Sequence, residues 1–218
     1  KAAIPLLQKL QAQGVPVIAF DSGVDSDIVL TTAQTNSKAA ASLAADMMAK
    51  IIGGEGEVAV IGHDQTSTTG VDRRDGFVNQ IKAKYPKIKI VDIQYGGGDH
   101  LKSAEIAKTL MQAHPKLKGI FGTNEGSAIG AGKGMKEAKK SGIAIIGFDS
   151  GKAQKEMIMD GTMAGAITQN PVGIGYQTVK AAVMALKGEK LPKVIDTGFY
   201  YYDKNNMKDP KIAAVLYD

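Results

Sequence analysis

The stretch VPVIAFDSG, residues 15–23, recurs in closely similar form as IAIIGFDSG at residues 143–151. In each copy a run of mostly apolar residues ends in phenylalanine, aspartate, serine and glycine. A short apolar run of this kind is typical of a strand that is buried on both faces of a parallel sheet. The repeat therefore predicts two buried strands, each followed by a loop that begins with an aspartate, Asp21 in the first copy and Asp149 in the second.

Around the two copies, short apolar runs alternate with longer stretches of helical periodicity. Strands are predicted at residues 15–21, 28–35, 57–62, 89–95, 117–123, 143–149, 163–169 and 194–203. Most of the intervening stretches are long enough to form a helix. Strands that alternate with helices predict βα units, right-handed crossovers and parallel sheets, so the predicted fold class is α/β.

The composition is that of a soluble globular protein, with 44% hydrophobic and 22% charged residues in a chain of 218. A chain of this length accommodates one or two domains. The net charge is +5, but the only arginines are Arg73 and Arg74, and the lysines are scattered along amphipathic stretches. No nucleic-acid partner is predicted, because a nucleic-acid groove needs basic residues interleaved with aromatics.

No metal site is predicted. The sequence contains no cysteine, which excludes disulfides and thiolate metal sites. The three histidines, His63, His100 and His114, share no spacing that is typical of metal ligands. We interpret them as solvated loop residues.

No cofactor and no enzymatic activity are predicted either. The segment SAIGAGKGMK, residues 127–136, lacks the first glycine and the hydroxyl residue that a phosphate-binding loop requires. Gly130 and Gly134 are interpreted as small residues that let a helix pack closely on the sheet. The hydroxyl-rich segment TSTTG, residues 66–70, is not part of a nucleophile elbow.

The ends of the predicted strands are rich in polar residues. In open α/β sheets, ligands bind beyond the carboxyl ends of the strands. Besides the two aspartates, the polar residues that follow predicted strands are His63, Asp64, Gln65, Asp99, His100, Asn124, Glu125, Gln169 and Asn170. Carboxylates accept hydrogen bonds from hydroxyl groups, and amides both donate and accept. This set of residues favours a ligand that is rich in hydroxyl groups.

The order of five motifs, GVPVIAFDS, DRRDGF, GIFGTNEGSAIGAGKGMKEA, IAIIGFDS and GAITQNPVGIGYQTVKAAVMALKGE, resembles the ribose-binding-protein family. This family comprises type I periplasmic binding proteins, the sugar receptors of ABC importers. The resemblance implies two Rossmann-like parallel-sheet lobes joined by a hinge, with a monosaccharide or related polyol between them. It also implies a bacterial protein of the periplasm or cell exterior, lipid-anchored or secreted, that delivers its ligand to a membrane permease without any cofactor.

The resemblance assigns the two lobes and four ligand contacts. The first lobe would comprise residues 1–35 plus 171–197, and the second residues 36–170 plus 198–218. Asp21, Asn124, Asp149 and Gln169 match the positions that contact sugar in the family. Helix caps and Asx turns are the alternative roles for the two aspartates, and turn formation is the alternative for Asn124 and Gln169.

Three positions depart from the pattern of the ribose binders, which implies a sugar other than ribose. Val71 and Ser22 stand where those proteins have arginines, and Gly98 stands where they have an aromatic residue. Arg73 is interpreted as an anchor of its own helix. The resemblance also implies that about 80 further residues, roughly two βα units, would precede this chain in a complete family member.

The first lobe is therefore expected to be incomplete. Three explanations stay open at this stage: a separate fragment completes it, the chain self-associates through it, or the chain is a truncated product. Two other functions also stay open. The first is the effector-binding domain of a lactose-repressor-type transcriptional regulator, which shares the fold, and the second is an α/β enzyme.

Overall fold

The computed structural model describes residues 3–217. These residues form two compact units. Unit 1 comprises the chain up to Asn36 together with Asn170–Gly198, and unit 2 comprises Ser37–Gln169 together with the chain from Phe199 onward. Each unit is therefore built from two separate segments of the sequence.

The strands and helices alternate through both units, as the periodicity predicts. The strands are β1 Val17–Phe20, β2 Val29–Gln34, β3 Gly56–Gly62, β4 Ile88–Tyr95, β5 Leu117–Gly122, β6 Ala144–Phe148, β7 Gly165–Gln169, β8 Val194–Asp196 and β9 Phe199–Tyr202. The helices are α1 Ile4–Ala12, α2 Ser37–Ile52, α3 Thr68–Lys84, α4 His100–Ala113, α5 Glu125–Glu137, α6 Lys152–Met159, α7 Pro171–Leu186 and α8 Pro210–Ala213.

Within the described residues, unit 1 contains a parallel sheet in the order β1-β2-β8. Helix α7 packs on β1 and β2. Its start is fixed by Asn170, whose Oδ1 accepts a hydrogen bond from Gly173 N, and by Pro171 at the first helical position. On α7, five apolar side chains recur at helical spacing and are exposed: Val172, Tyr176, Val179, Val183 and Leu186. Unit 1 thus leaves a continuous apolar stripe uncovered.

Unit 2 contains a six-stranded sheet, among the described residues, in the order β4-β3-β5-β6-β7-β9. The pairs from β4 to β7 are parallel, and β9 runs antiparallel to β7. The apolar core divides into two clusters, one containing residues of α4 and α5 and the other residues of α2 and α3. Both faces of the inner strands are therefore buried, which explains why their sequences are continuously apolar.

The predicted strand at residues 194–203 is two strands that belong to different sheets. Strand β8 pairs with β2 in unit 1, and β9 pairs with β7 in unit 2. The break falls at Gly198, which has a φ of 78° and donates its N–H to Asp196 Oδ1 at 3.0 Å. A glycine with positive φ interrupts the extended backbone, so the prediction of one continuous strand is wrong.

The glycines of α5 contact a helix and not the sheet. A Cβ on Gly130 would overlap Ser103, and one on Gly134 would overlap the backbone carbonyl of Ala104. Both of these neighbours lie on α4. The prediction of close helix packing is therefore confirmed, but the packing partner is α4, because the two glycines fall on the face of α5 that meets that helix.

Candidate functional site

The two FDSG copies adopt the same local structure in the two units. Asp21 and Asp149 have φ angles of 58° and 78°, and Lys139 is the only other non-glycine residue with positive φ among residues 3–217. Asp21 donates its N–H to Ala33 O at 2.8 Å, and Asp149 donates its N–H to Ile167 O at 2.7 Å. Each acceptor lies on the strand that follows in sequence, β2 or β7. The copies are therefore one structural element that occurs once in each unit.

The backbone of Asp149 is held in this conformation by two buried side chains. Its carbonyl oxygen accepts hydrogen bonds from Gln154 Nε2 at 2.6 Å and from Tyr202 Oη at 2.9 Å. Both donors are fully buried. Aspartate adopts positive φ more readily than most non-glycine residues, and these two hydrogen bonds stabilise that conformation here. The fold therefore fixes the backbone angle of Asp149, whose carboxylate contacts Gln169 and Glu125.

The Asp149 carboxylate meets two other strand-end groups. Its Oδ1 accepts a hydrogen bond from Gln169 Nε2 at 2.7 Å, and its Oδ2 accepts one from the N–H of Glu125 at 3.2 Å. Each carboxylate oxygen has a second lone pair that can accept from a further donor. The structure thus brings Asp149, Gln169 and the first residue of α5 into direct contact at the ends of three strands.

Asn124 precedes Glu125 and caps α5. Its Oδ1 accepts a hydrogen bond from Ser127 N at 2.9 Å, so Asn124 is the N-cap of this helix, a role that the sequence did not predict. Its Nδ2 faces Gly98, where an added Cβ would stand 3.0 Å from that nitrogen. The capping bond uses the carbonyl end of the amide. The amide N–H groups are therefore the part of Asn124 that is suited to a ligand.

Three of the four predicted ligand residues, Asn124, Asp149 and Gln169, belong to unit 2 and lie together at its strand ends. Asp21 belongs to unit 1, where it occupies the equivalent strand end and is half-buried. Two other polar residues of the strand-end set serve local structure. Asp99 caps α4 by accepting from Lys102 N at 2.7 Å, and the half-buried Asp64 accepts from Thr66 N at 2.7 Å.

His63 is not a solvated loop residue, so that interpretation is wrong. It is half-buried directly after β3, and its N–H donates to Thr123 Oγ1 at 3.0 Å. Its Nδ1 lies 2.8 Å from the same oxygen, and its Nε2 lies 3.4 Å from Thr69 Oγ1. Burial, and then the positive charge of Arg73, lower the pKa of His63 to about 4. The imidazole is therefore neutral at neutral pH.

Arg73 contacts residues at the carboxyl ends of β5 and β6. It lies in α3 and is 3% exposed. Its Nη1 donates to Thr123 O at 2.9 Å, and its guanidinium carbon lies 3.8 Å from the centre of the Phe148 ring. Thr123 directly precedes Asn124, and Phe148 directly precedes Asp149. Arg73 thus anchors α3, as the sequence predicts, and also fixes the residues that precede two predicted ligand contacts.

Glu125 and Tyr217 complete the unit 2 cluster. Glu125 Oε2 accepts hydrogen bonds from Gly151 N at 3.2 Å and from Tyr217 Oη at 3.0 Å. Burial, together with the nearby charges of Asp149 and Glu125, raises the pKa of Tyr217 above its usual range. Its hydroxyl therefore stays protonated and donates. Sequence reasoning missed the role of Tyr217, since nothing in the C-terminal tail indicates that it folds back to α5.

The comparison with known families gives a match over residues 1–190 to the model described as a periplasmic binding protein domain. The chain belongs to this family. Among solved structures, an ABC transporter solute binding protein from Agrobacterium vitis with bound D-fucose is 33% identical, with a TM-score of 0.94, and the match covers 99% of this chain and 76% of that one. A carbohydrate transporter solute binding protein from Agrobacterium radiobacter in complex with D-arabinose is 35% identical, with a TM-score of 0.90, over 96% of this chain and 73% of that one.

Among curated proteins, the ribose import binding protein of Escherichia coli (strain K12) is 28% identical over 177 residues, which is 81% of this chain and 59% of the relative. The chain thus spans about three-fifths of the length of the curated relatives that it matches. The predicted family and the α/β fold of the type I periplasmic binding proteins are confirmed by these matches.

Neither a metal cluster nor a membrane-spanning helix is found in this periplasmic binding protein over residues 3–217. No group of three or more histidine, aspartate or glutamate side chains is arranged to hold a metal ion in that range. None of the helices described there has both the length and the apolar character needed to cross a membrane.

The depressed pKa of His63 predicts a pH-dependent stability. In the unfolded chain this histidine takes up its proton near pH 6.5, but in the folded protein it does so only near pH 4. Between these values the unfolded state binds more protons, so the free energy of unfolding falls as the pH is lowered from about 6.5 to about 4. Because the ring is only half-buried, we expect a loss of about 1–2 kcal/mol.

Urea unfolding at a series of pH values measures this loss. The variant His63→Gln should show a smaller decrease between pH 6.5 and pH 4 than the wild type, and the exposed His100→Gln serves as the matched control. Identical pH profiles for the wild type and His63→Gln would contradict the assignment.

Proposed function

We propose that this chain is part of a solute receptor that captures a monosaccharide or a related polyol outside the cytoplasm and delivers it to the permease of an ABC importer. The family match and the relatives support this proposal. One relative is named for ribose import, and two solved relatives hold D-fucose and D-arabinose. A receptor of this kind binds its ligand without chemical change, so no catalytic role is proposed for any residue.

The observation that supports the proposal most directly is the cluster at the strand ends of unit 2. Asp149, Gln169 and Asn124 bring a carboxylate and two amides together, with contacts of 2.7 Å and 2.9 Å that hold them in place. Sugar hydroxyls donate to carboxylates and both donate to and accept from amides. We propose these three residues as the ligand contacts of unit 2 and Asp21 as the corresponding contact of unit 1.

The relatives also favour the receptor over the transcriptional regulator. The proteins reported above are named as import, transporter or solute-binding proteins. A regulator of the lactose-repressor type would bind its effector with the same kind of site, so the preference for a receptor rests on these relatives. We therefore propose an extracytoplasmic location for the protein, as expected for a receptor that meets its sugar before transport.

A thermal-shift screen tests the proposed function. The probes are D-arabinose, D-ribose, D-fucose, D-allose and D-tagatose, each added to the 218-residue chain and to the protein as expressed from its own gene. A ligand at a hundred-fold excess over its Kd stabilises the folded state by about 2.7 kcal/mol, so at least one sugar should raise the melting temperature by several degrees. If none of these sugars raises the melting temperature of either sample, the proposed receptor function is wrong.

A further inference from the structure

We infer that His63 is a further ligand contact, and that its Nε2 forms a hydrogen bond with a sugar hydroxyl beside Asn124. This inference rests on the proposed function, because it assigns a residue to the same strand-end site. His63 follows β3, and Asn124 follows β5 by two residues. Strands β3 and β5 are neighbours in the sheet, with Ile61 opposite Gly122. The register therefore places His63 next to the Thr123–Asn124 pair.

One edge of the imidazole is fixed and the other is available. Thr123 Oγ1 lies 2.8 Å from Nδ1 and also accepts the N–H of His63 at 3.0 Å, so two contacts hold this edge of the residue. The opposite nitrogen, Nε2, has a contact of 3.4 Å to Thr69 Oγ1. That distance is long for a hydrogen bond to a hydroxyl, for which about 2.8 Å is usual. A ligand hydroxyl could therefore replace or supplement Thr69 at Nε2.

His63 and Asn124 are neighbours on the same side of Gly98 in the sense that both contact this residue. Gly98, in the loop between β4 and α4, has no side chain, and a Cβ added there would stand 3.0 Å from Asn124 Nδ2 and 3.9 Å from His63 Cβ. His63 and Asn124 thus both lie next to Gly98, and so close to each other. The charge of Asp149 also acts on His63, so the imidazole lies within electrostatic range of the carboxylate that is proposed to bind the sugar.

The charge state of the ring suits a neutral ligand. Burial has the largest effect on the pKa of His63 and lowers it, Arg73 also lowers it, and Asp149 and Asp64 raise it. The neutral ring has one donor nitrogen and one acceptor nitrogen. A sugar hydroxyl can accept from an N–H or donate to a lone pair, so it can pair with Nε2 in either tautomer. A neutral polar group at this position orients the sugar hydroxyl through a hydrogen bond, and it does so without burying another charge.

Two substitutions of His63 test the contacts of its two ring nitrogens separately. The amide of His63→Asn can reach Thr123 as Nδ1 does but cannot reach the position of Nε2, whereas the longer His63→Gln places an amide near the position of Nε2. Titration calorimetry uses whichever probe sugar gives the largest thermal shift, together with its singly deoxygenated analogues. We expect His63→Asn to raise the Kd about ten- to fifty-fold, and His63→Gln to remain within about five-fold of the wild type.

The deoxygenated analogues distinguish a ligand contact from a structural role. For the analogue that lacks the contacted hydroxyl, the wild type and His63→Asn should have the same Kd, whereas a purely structural role would weaken the binding of every analogue equally. An equal loss for all analogues, or no loss with His63→Asn, overturns the inference and leaves the receptor function intact. A wild-type protein that binds none of the sugars would reject the receptor function, and the inference with it.

Discussion

Replacement of Asp149 by alanine is expected to raise the Kd for the cognate sugar at least about 100-fold. The carboxylate is held by Gln169 Nε2 at 2.7 Å and by the N–H of Glu125 at 3.2 Å, and each of its oxygens has a further lone pair for a sugar hydroxyl. A hydrogen bond to a charged group contributes about 1.5–3 kcal/mol, so the loss of two such bonds corresponds to about 3–6 kcal/mol, or more than two powers of ten in Kd.

The variant Asp149→Asn distinguishes the effect of losing the carboxylate charge from the effect of changing the backbone conformation. Asparagine tolerates positive φ about as well as aspartate does, so this variant should keep the local structure. One side-chain oxygen would become an NH₂ group, which cannot accept a hydrogen bond. The bond from Gln169 or the bond from Glu125 would therefore be lost, depending on which oxygen is replaced. We therefore expect Asp149→Asn to weaken sugar binding nearly as much as Asp149→Ala does, while changing the stability of the protein less.

Lys139→Ala is the matched control for the backbone angle. Lys139 also has positive φ, at 52°, and it is exposed after the end of α5. Its replacement places an alanine at positive φ away from the strand ends and should leave the affinity for sugar unchanged. Titration calorimetry of the three variants measures these effects. A Kd for Asp149→Ala within three-fold of the wild type would reject Asp149 as a ligand contact.

The sequence predicts the alternation of strands and helices because each strand of a covered parallel sheet must be apolar on both faces. Strand β6, for example, has four fully buried residues at its carboxyl end, which correspond to the apolar run that ends at Phe148. The same argument predicts that Asp149 lies at a strand end. It does not predict the positive φ of Asp149, which depends on Gln154 and Tyr202 and therefore on tertiary contacts.

The residues that sequence reasoning misjudged depend on contacts between distant segments. The environment of His63 is set by Thr123, which is 60 positions away along the chain, through the register of β3 and β5. The contact between Tyr217 and Glu125 joins residues 92 positions apart. The break between β8 and β9 had a local signal, since Gly198 stands inside an otherwise strand-like stretch, and a glycine there marks a bend or bulge.

Replacement of Arg73 by methionine is expected to destabilise unit 2 by about 2–4 kcal/mol. The substitution removes a charged hydrogen bond to the fully buried Thr123, worth about 1.5–3 kcal/mol, and a contact with the face of Phe148 worth about 2 kcal/mol when desolvated. Methionine fills much of the same volume and removes the cost of burying a charge, which offsets part of this loss. The carbonyl of Thr123 would remain buried without its arginine donor.

Arg74→Met is the matched control, because the neighbouring arginine has a more accessible side chain and bonds Asp75 and Tyr95 at 2.7 Å and 3.0 Å. We expect that variant to lose less than about 1 kcal/mol. Hydrogen exchange of the β5 and β6 amides reports on unit 2 directly, and these amides should exchange faster in Arg73→Met than in Arg74→Met. Because Thr123 and Phe148 directly precede Asn124 and Asp149, Arg73→Met should also weaken sugar binding. Equal exchange in the two variants would show that Arg73 does not hold these strand ends.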